Sequence, residues 1–298
     1  MQISQLRAFV AAVAAGGMGA GARSLGVAQP TLTRAIQQLE AELGATLLAR
    51  GPAGMVLTQF GRQLLPHAQR IVRSHGKVHE TGRQLAGEGT GEVCVAISAV
   101  PRWLLVPQAA VMLWKRYPRV RLTLAEAVYP QVLHHFERGS IDFAICPAPV
   151  GTGEATLRVE PIPLKSHLAV AMRKGHAKAG AGSLAELAAC TWIASGPSTG
   201  LGLPEMFHAH GLDAPDCPLQ CESVECALRF VADTDMLTLA PRLLIERGAG
   251  EGRLEPPLLG GLGGAVQICM LTPEERVLTP AASFFRAALL QTAGERAT

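Results

Sequence analysis

The stretch from residue 17 to residue 50, GMGAGARSLGVAQPTLTRAIQQLEAELGATLLAR, leaves the chain few ways to fold. Met18, Ala22 and Leu25 share one helical face, and Gly26-Val27 interrupts the pattern. Leu32, Ile36, Leu39 and Leu43 then recur at i, i+4, i+7 and i+11, the spacing of a helix with one buried stripe. Pro30 falls in the first turn of that helix, where a missing N–H costs no hydrogen bond. The opposite face carries Gln29, Thr31, Thr33, Arg34, Gln37 and Gln38, with no carboxylate before Glu40. A helix packed on one side and rich in amides, hydroxyls and a guanidinium at its N-terminal end suits the major groove of duplex DNA. There amides pair with adenine edges, Arg pairs with guanine or phosphate, and hydroxyls reach phosphate.

The segments around it fit the same plan. Residues 3–15 read as a first helix with Ile3, Leu6, Phe9, Val10 and Val13 on one face. Two short apolar runs, 47–50 and 55–58, flank Gly51-Pro52-Ala53-Gly54 and predict a β-hairpin. Arg50 at its base and Thr58 at its exit are candidates for DNA-backbone contacts, which position a protein without reading sequence. Residues 59–88 form a long helical pattern in which Leu64, Ala68, Ile71, His75, Val78, Gly82 and Leu85 make a heptad seam. One seam needs a partner, so the reading is a dimerising linker helix ended by Gly87, Gly89 and Gly91.

The run A-x-x-L-x-V-x-Q-P-x-L-T-x-x-I-x-x-L-E-x-x-L-G-x-x-L-L-x-R, from Ala22 to Arg50, resembles the N-terminal winged helix-turn-helix of LysR-type transcriptional regulators. Members usually carry Ser or Thr at the positions of Gly17 and Ala28, and Ala at Gly21. Loss of a hydroxyl N-cap costs about 0.5–2 kcal/mol, and an interior helical Gly about 1 kcal/mol against Ala, so these departures predict a less rigid helix pair. The resemblance implies the same linker helix, a homodimer and a homotetramer, contact with RNA polymerase, and no enzymatic activity. Its regulatory half is most similar to the branch controlling toluenesulfonate degradation.

Charge divides accordingly. Residues 1–90 hold nine basic and four acidic side chains, a net of +5, whereas the whole chain carries only +3. A basic N-terminal third on a near-neutral body predicts a nucleic-acid module joined to a passenger of different function. With 298 residues the chain has room for several cores. No uninterrupted apolar stretch is long enough to span a bilayer, and the N-terminus lacks the basic start of a signal peptide. The expected compartment is the cytoplasm, with the seven cysteines reduced.

Beyond residue 91 short apolar runs alternate with helical segments. Strands at 93–97, 120–125 and 141–146 with helices at 103–117 and 131–138 give βαβαβ, a parallel sheet covered by helices. Runs at 167–172, 191–194, 219–222 and 236–239 make a second set, and the strand 265–271 with helix 280–291 returns to the first. The expected fold class is α/β with an all-α-rich head: a winged helix-turn-helix (1–58), a linker helix (59–90) and a periplasmic-binding-protein-like effector domain of two Rossmann-like subdomains (91–298). Subdomain I covers about 91–163 and 267–298, and subdomain II about 164–266; this last architecture is what the family resemblance implies.

Ligands of open α/β sheets bind beyond the carboxyl ends of strands. The candidates for a small anionic, possibly aromatic, effector are therefore Ser98, Ala99, Val100, Pro101 and Arg102, then Tyr129, Pro147, Ser195, Ser198, Thr199 and Ser223. Ser98 and the N–H groups after it offer a seat for a carboxylate or sulfonate. Arg102 offers a bidentate clamp, and Tyr129 and Trp103 could cover a ring. Equally, these residues are ordinary strand-to-helix caps with Trp103 in the core.

Competing patterns are weaker. Gly17-x-Gly19-x-x-Ala22 imitates a dinucleotide fingerprint but follows a helix-spaced segment. Cys217, Cys221 and Cys226 lack the paired spacing of a zinc site, and with Cys190 read as buried inert thiols. His75 and His79 read as a solvated or seam-lining pair, His208 and His210 lie on opposite helix sides, and Asp142 reads as a local cap. There is no nucleophile elbow, H-E-x-x-H, P-loop or carboxylate dyad. No metal or cofactor is expected. The alternative functions are a cytosolic small-molecule-binding protein with a degenerate head, and an α/β enzyme working in the cleft.

Overall fold

The computed structural model describes residues 1–51, 54–148, 156–196, 202–247, 252–257 and 266–297, apart from the side chains of Arg50, Ser166 and Ala297. The head consists of α1 (Ile3–Ala14), α2 (Met18–Leu25) and α3 (Gln29–Leu43), followed by β1 (Leu48–Gly51) and β2 (Gly54–Leu57). Leu6, Phe9, Ala22, Leu32, Ile36 and Leu39 are buried together in its core, as the 3.6-residue spacing requires. Gly26 and Gly44 close α2 and α3 in the left-handed conformation, with φ of 66° at each. Neither Gly17 nor Ala28 supplies a side-chain cap. Gly21 has a different role from the one propensity assigns it. A Cβ there would stand 2.7 Å from the Ala12 Cα, so the glycine lets α2 lie directly on α1.

The linker helix α4 (Gln59–Leu85) stops three residues before the predicted end, capped by Ala86 ahead of Gly87 at φ 86°. Thr58 caps its other end: the hydroxyl accepts from Gly61 N at 2.9 Å and donates to Thr46 O at 2.7 Å. The heptad seam is divided. Leu64 and Ala68 turn into the head's own core, whereas Ile71, Val78 and Leu85 remain exposed.

The body holds two five-stranded sheets. The first contains β3 (Thr90–Ile97), β4 (Arg119–Ala125), β5 (Phe143–Pro147), β6 (Leu157–Ser166) and, after the second sheet, β12 (Val266–Pro273), in the order β4-β3-β5-β12-β6. Its β4-β3-β5 half is parallel, as predicted, while β12 runs antiparallel to both β5 and β6. The second contains β7 (Leu168–Arg173), β8 (Trp192–Ser195), β9 (Leu219–Cys221), β10 (Leu237–Pro241) and β11 (Leu254–Glu255), in the order β11-β7-β10-β8-β9. The predicted helix at 103–117 is two helices, α5 (Ala99–Leu104) and α6 (Val106–Arg116). Pro107 has no N–H to continue the ladder and crowds the carbonyl of Trp103, so the break falls at Leu105.

Helices α7 (Gln131–Glu137), α8 (Leu203–Ala209), α9 (Val224–Asp233), α10 (Arg242–Arg247) and α11 (Pro280–Ala297) complete the layers, with a 3-10 turn at Ala185–Leu187. One apolar cluster runs from Val93, Val95 and Phe285 beside the first sheet to Ala171, Ile193 and Val231 beside the second. Among the described residues no helix is long and apolar enough to cross a membrane.

Candidate functional site: a DNA-reading head and an inter-sheet cleft

On α3, Gln29, Pro30, Thr31, Arg34 and Gln37 are exposed and Thr33 is half-buried, whereas Leu32, Ile36 and Leu39 are buried; Pro30, Arg34 and Gln37 lie opposite the buried stripe, Thr31 and Thr33 flank it, and Gln29 is in line with it at the first turn. The predicted polar face is thus presented to solvent as a unit. Arg50 lies in β1, paired with Met55 of the hairpin; its side chain is outside the described residues. Glu40, which the sequence marked only as the end of the polar face, holds the hairpin against α3. One carboxylate oxygen accepts from Leu47 N at 2.7 Å and Leu48 N at 3.2 Å. That contact joins residues seven and eight positions apart and had no local signature.

Between the sheets, Ser98 follows β3 and starts α5. Its N–H bonds to Ile145 O at 3.0 Å, and among the described residues its buried hydroxyl has no hydrogen-bond partner. Val100 and Pro101 point into the core, and Ala99 is half-buried beside it. Arg102 crosses the cleft. It donates to Glu126, just after β4, at 2.7 Å and to Glu225, in the first turn of α9, at 2.5 Å. The two carboxylates raise its pKa against the opposing effect of burial. An anion reaching Arg102 would therefore share it with two carboxylates.

Ser223 caps α9, accepting from Cys226 N at 3.3 Å, and also reaches Glu225. The Ser195 hydroxyl is committed to the second sheet, donating to Leu239 O and accepting from Thr238, each at 2.9 Å. Tyr129 and Pro147 are half-buried near the end of β5, and Tyr129 precedes Pro130 through a cis peptide bond. Trp103 is 42% exposed, not a core residue. Ser198 and Thr199 lie outside the described residues.

Two other sequence readings are corrected. Asp142 does not cap locally: its carboxylate accepts from Cys94 N at 2.8 Å and from Lys77 of α4 at 3.2 Å, tying the linker helix to the first sheet. Cys226 is exposed, not buried, and Cys190, Cys217 and Cys221 are half-buried. The Cys226 thiol is hydrogen-bonded to Cys221, which raises its pKa. Among the described residues no group of His, Cys, Asp and Glu is arranged to hold a metal.

The comparisons with known proteins fall on these same two units. A profile of the bacterial regulatory helix-turn-helix proteins of the lysR family matches residues 3–62, and one of the LysR substrate binding domain matches residues 86–294. The SDS degradation transcriptional activation protein of a Pseudomonas species is 30% identical over 97% of this chain and 95% of its own. The transcriptional regulator TcbR of Pseudomonas sp. strain P51 is 39% identical over 36% of each chain. Among solved structures, the LysR family regulator CbnR shares the fold at 23% identity with a TM-score of 0.67, covering 98% of this chain and 99% of that one. Full-length CbnR in complex with its target DNA superposes with a TM-score of 0.66, at 23% identity over 98% of this chain and 100% of that one. A helix-turn-helix head, a long linker helix and a two-sheet substrate-binding domain, in this order along the chain, place the protein in the LysR family of transcriptional regulators, which are not enzymes.

Proposed function

We propose that this regulator reads a promoter or operator duplex with Gln29, Pro30, Thr31, Thr33, Arg34 and Gln37 in the major groove, while Arg50 meets the backbone; Thr58, expected from the sequence to do the same, has both donors committed to Thr46 O and Leu47 O and serves as the cap of α4 instead. The observation that carries the reading is the exposed polar face of α3 opposite its buried stripe. The chain works as a dimer along α4, where Ile71, Val78 and Leu85 stand exposed at seven-residue spacing, and as a tetramer made of two such dimers. CbnR is solved in complex with its target DNA, and promoter DNA is the partner assigned here, with RNA polymerase the next contact.

A small anionic effector enters the cleft beside Ser98 and competes for Arg102 with Glu126 and Glu225. Its free energy changes DNA binding or bending only through unequal affinity for the two arrangements of the heads. The unsatisfied Ser98 hydroxyl supports this site.

The test is a mobility-shift titration on the DNA upstream of the protein's own gene against a scrambled duplex, at two salt concentrations. Selective binding with a steep salt dependence is expected; equal binding to both duplexes would overturn the assignment. Gln29→Ala should reduce discrimination between them, whereas Arg50→Ala should weaken both alike. Equal losses on both duplexes from both variants would refute the division of labour.

A further inference from the structure

The turn between β9 and α9 brings two of the seven cysteines together. Cys221 ends β9 and is anchored by the sheet: it pairs with Ser195 of β8, and its carbonyl accepts from Gly196 N at 3.0 Å. Cys226 lies in the first turn of α9, where its N–H donates to the capping Ser223 hydroxyl at 3.3 Å. The Cys221 thiol donates to the carbonyl of the same Ser223, also at 3.3 Å. Both residues thus meet at one cap, and the Cys226 thiol is hydrogen-bonded to Cys221. They differ in access, Cys226 being exposed and Cys221 half-buried. Cys217, four residues before Cys221, turns its thiol to Pro215 O instead. Among the described residues no third metal-binding side chain joins the pair, so a cation that needs three or four protein ligands has no seat there.

An accessible thiol in contact with a shielded one suits thiol–disulfide exchange, in which the first attacks an outside disulfide and the second resolves the adduct. We infer that Cys226 and Cys221 form a reversible dithiol–disulfide site whose oxidant is a small-molecule disulfide, with Cys226 as the attacking thiol and Cys221 as the resolving one. Cys226 loses its proton and its sulfur attacks the small disulfide, forming a mixed disulfide and releasing one small thiol. Cys221 then loses its proton and attacks the Cys226 sulfur, expelling the second small thiol. Two electrons and two protons pass from the protein to the oxidant, which leaves as two thiols. Because the sheet anchors Cys221, closing the bond draws the first turn of α9 toward β9. Ser223 and Glu225 lie within the closed loop, so the new bond alters the cap of α9 and the hold of Glu225 on Arg102. The thiol chemistry itself does not depend on an effector in the cleft.

The experiment is incubation of the reduced full chain at pH 8 in buffers of rising oxidised-to-reduced glutathione ratio, followed by acid quenching, alkylation and peptide mass spectrometry. Cys221 and Cys226 should lose their free thiols together, as one internal disulfide that excess reduced glutathione reopens. Cys221→Ser should stop the reaction at a glutathione adduct on Cys226. Cys226→Ser should leave Cys221 reduced at ratios that oxidise the parent. Amide exchange in the first turn of α9 should differ between the oxidised and reduced parent, with the head unaffected. A parent that stops at the Cys226 adduct, as Cys221→Ser does, would overturn the pair. So would a disulfide from either residue to Cys190, to Cys217 or to a second subunit. An internal disulfide that leaves exchange in α9 unchanged would overturn its link to Glu225.

Discussion

Gly21→Ala separates two physical effects of opposite sign at one position. Helix propensity favours the change by about 1 kcal/mol, since alanine restricts the unfolded chain and completes the helix surface. The packing of α2 on α1 opposes it. The added methyl would lie 2.7 Å from the Ala12 Cα, 2.8 Å from its N and 3.0 Å from the Ala11 carbonyl carbon, all of them backbone atoms. Comfortable contacts between carbons begin at about 3.5 Å, so the two helices must part by close to an ångström. Overpacking of this kind costs about 1–3 kcal/mol. The expected balance is a loss of about 1 kcal/mol, a fewfold rise in the open population of the head.

All three tryptophans, Trp103, Trp114 and Trp192, lie outside the head, so their fluorescence does not report on it. Amide hydrogen exchange of the α1 and α2 peptides in the full chain does. Exchange about fivefold faster is expected for the variant, with body peptides unaffected. Unchanged or slower exchange in α1 and α2 would show that propensity outweighs the close approach, and the reasoning would fail.

Ala28→Ser should act in the opposite direction. The residue already has the extended backbone of an N-cap, and a hydroxyl acceptor there should stabilise α3 by about 0.5–2 kcal/mol, read as slower exchange in its first turn. Glu225→Gln should leave Arg102 with one carboxylate instead of two and raise affinity for an anionic effector about tenfold; unchanged affinity in an effector titration would remove Arg102 from the binding set. Burial pushes the Cys94 thiol up to about 11 and the Cys146 thiol up to about 12. In the unfolded chain both would ionise near the ordinary thiol value of 9.0, so above that pH the unfolded state binds fewer protons and stability falls. Denaturant midpoints at pH 8 and 10 should show a smaller alkaline loss in Cys146→Ala than in the parent. Native alkylation at pH 8 should mark Cys226 and spare Cys94, Cys146 and Cys269; equal labelling of all four would contradict their burial.

What the sequence made legible was whatever repeats along the chain. The stripe of Leu32, Ile36 and Leu39 and the β3-α-β4-α-β5 alternation each express a period, and each appears in the structure. Strand β6 was missed because Pro161 and Pro163 interrupt it. It runs along the outer edge of the first sheet, where a residue without an N–H forfeits fewer ladder bonds. The Pro107 break at Leu105 was written in the sequence and overlooked beneath a continuous apolar pattern. Gly21 was recognisable as a departure, but its meaning depends on where Ala12 lies in space. Likewise, no spacing announces that Glu40 grips the hairpin, that Lys77 meets Asp142, or that Arg102 is held by carboxylates from both sides of the cleft. Lys77–Asp142 and Arg102–Glu225 join residues far apart in the chain, and Glu40 reaches beyond the end of its own helix.

The chain leaves the first sheet at the end of β6 and re-enters it at the start of β12, with Ser166 directly opposite Val266. Outgoing and returning strands thus form one two-stranded ribbon at the junction, and a bulge between Gln267 and Cys269 lies just inside it, where Gln267 donates to Ile162 O at 2.7 Å. Such a ribbon bends across its flat face far more readily than within its plane. Bending at this ribbon would turn about a single axis and change the opening that the Arg102–Glu225 pair spans. Under the proposed mechanism, a ligand in the cleft would then reach the linker helix as one variable, the angle of a jaw.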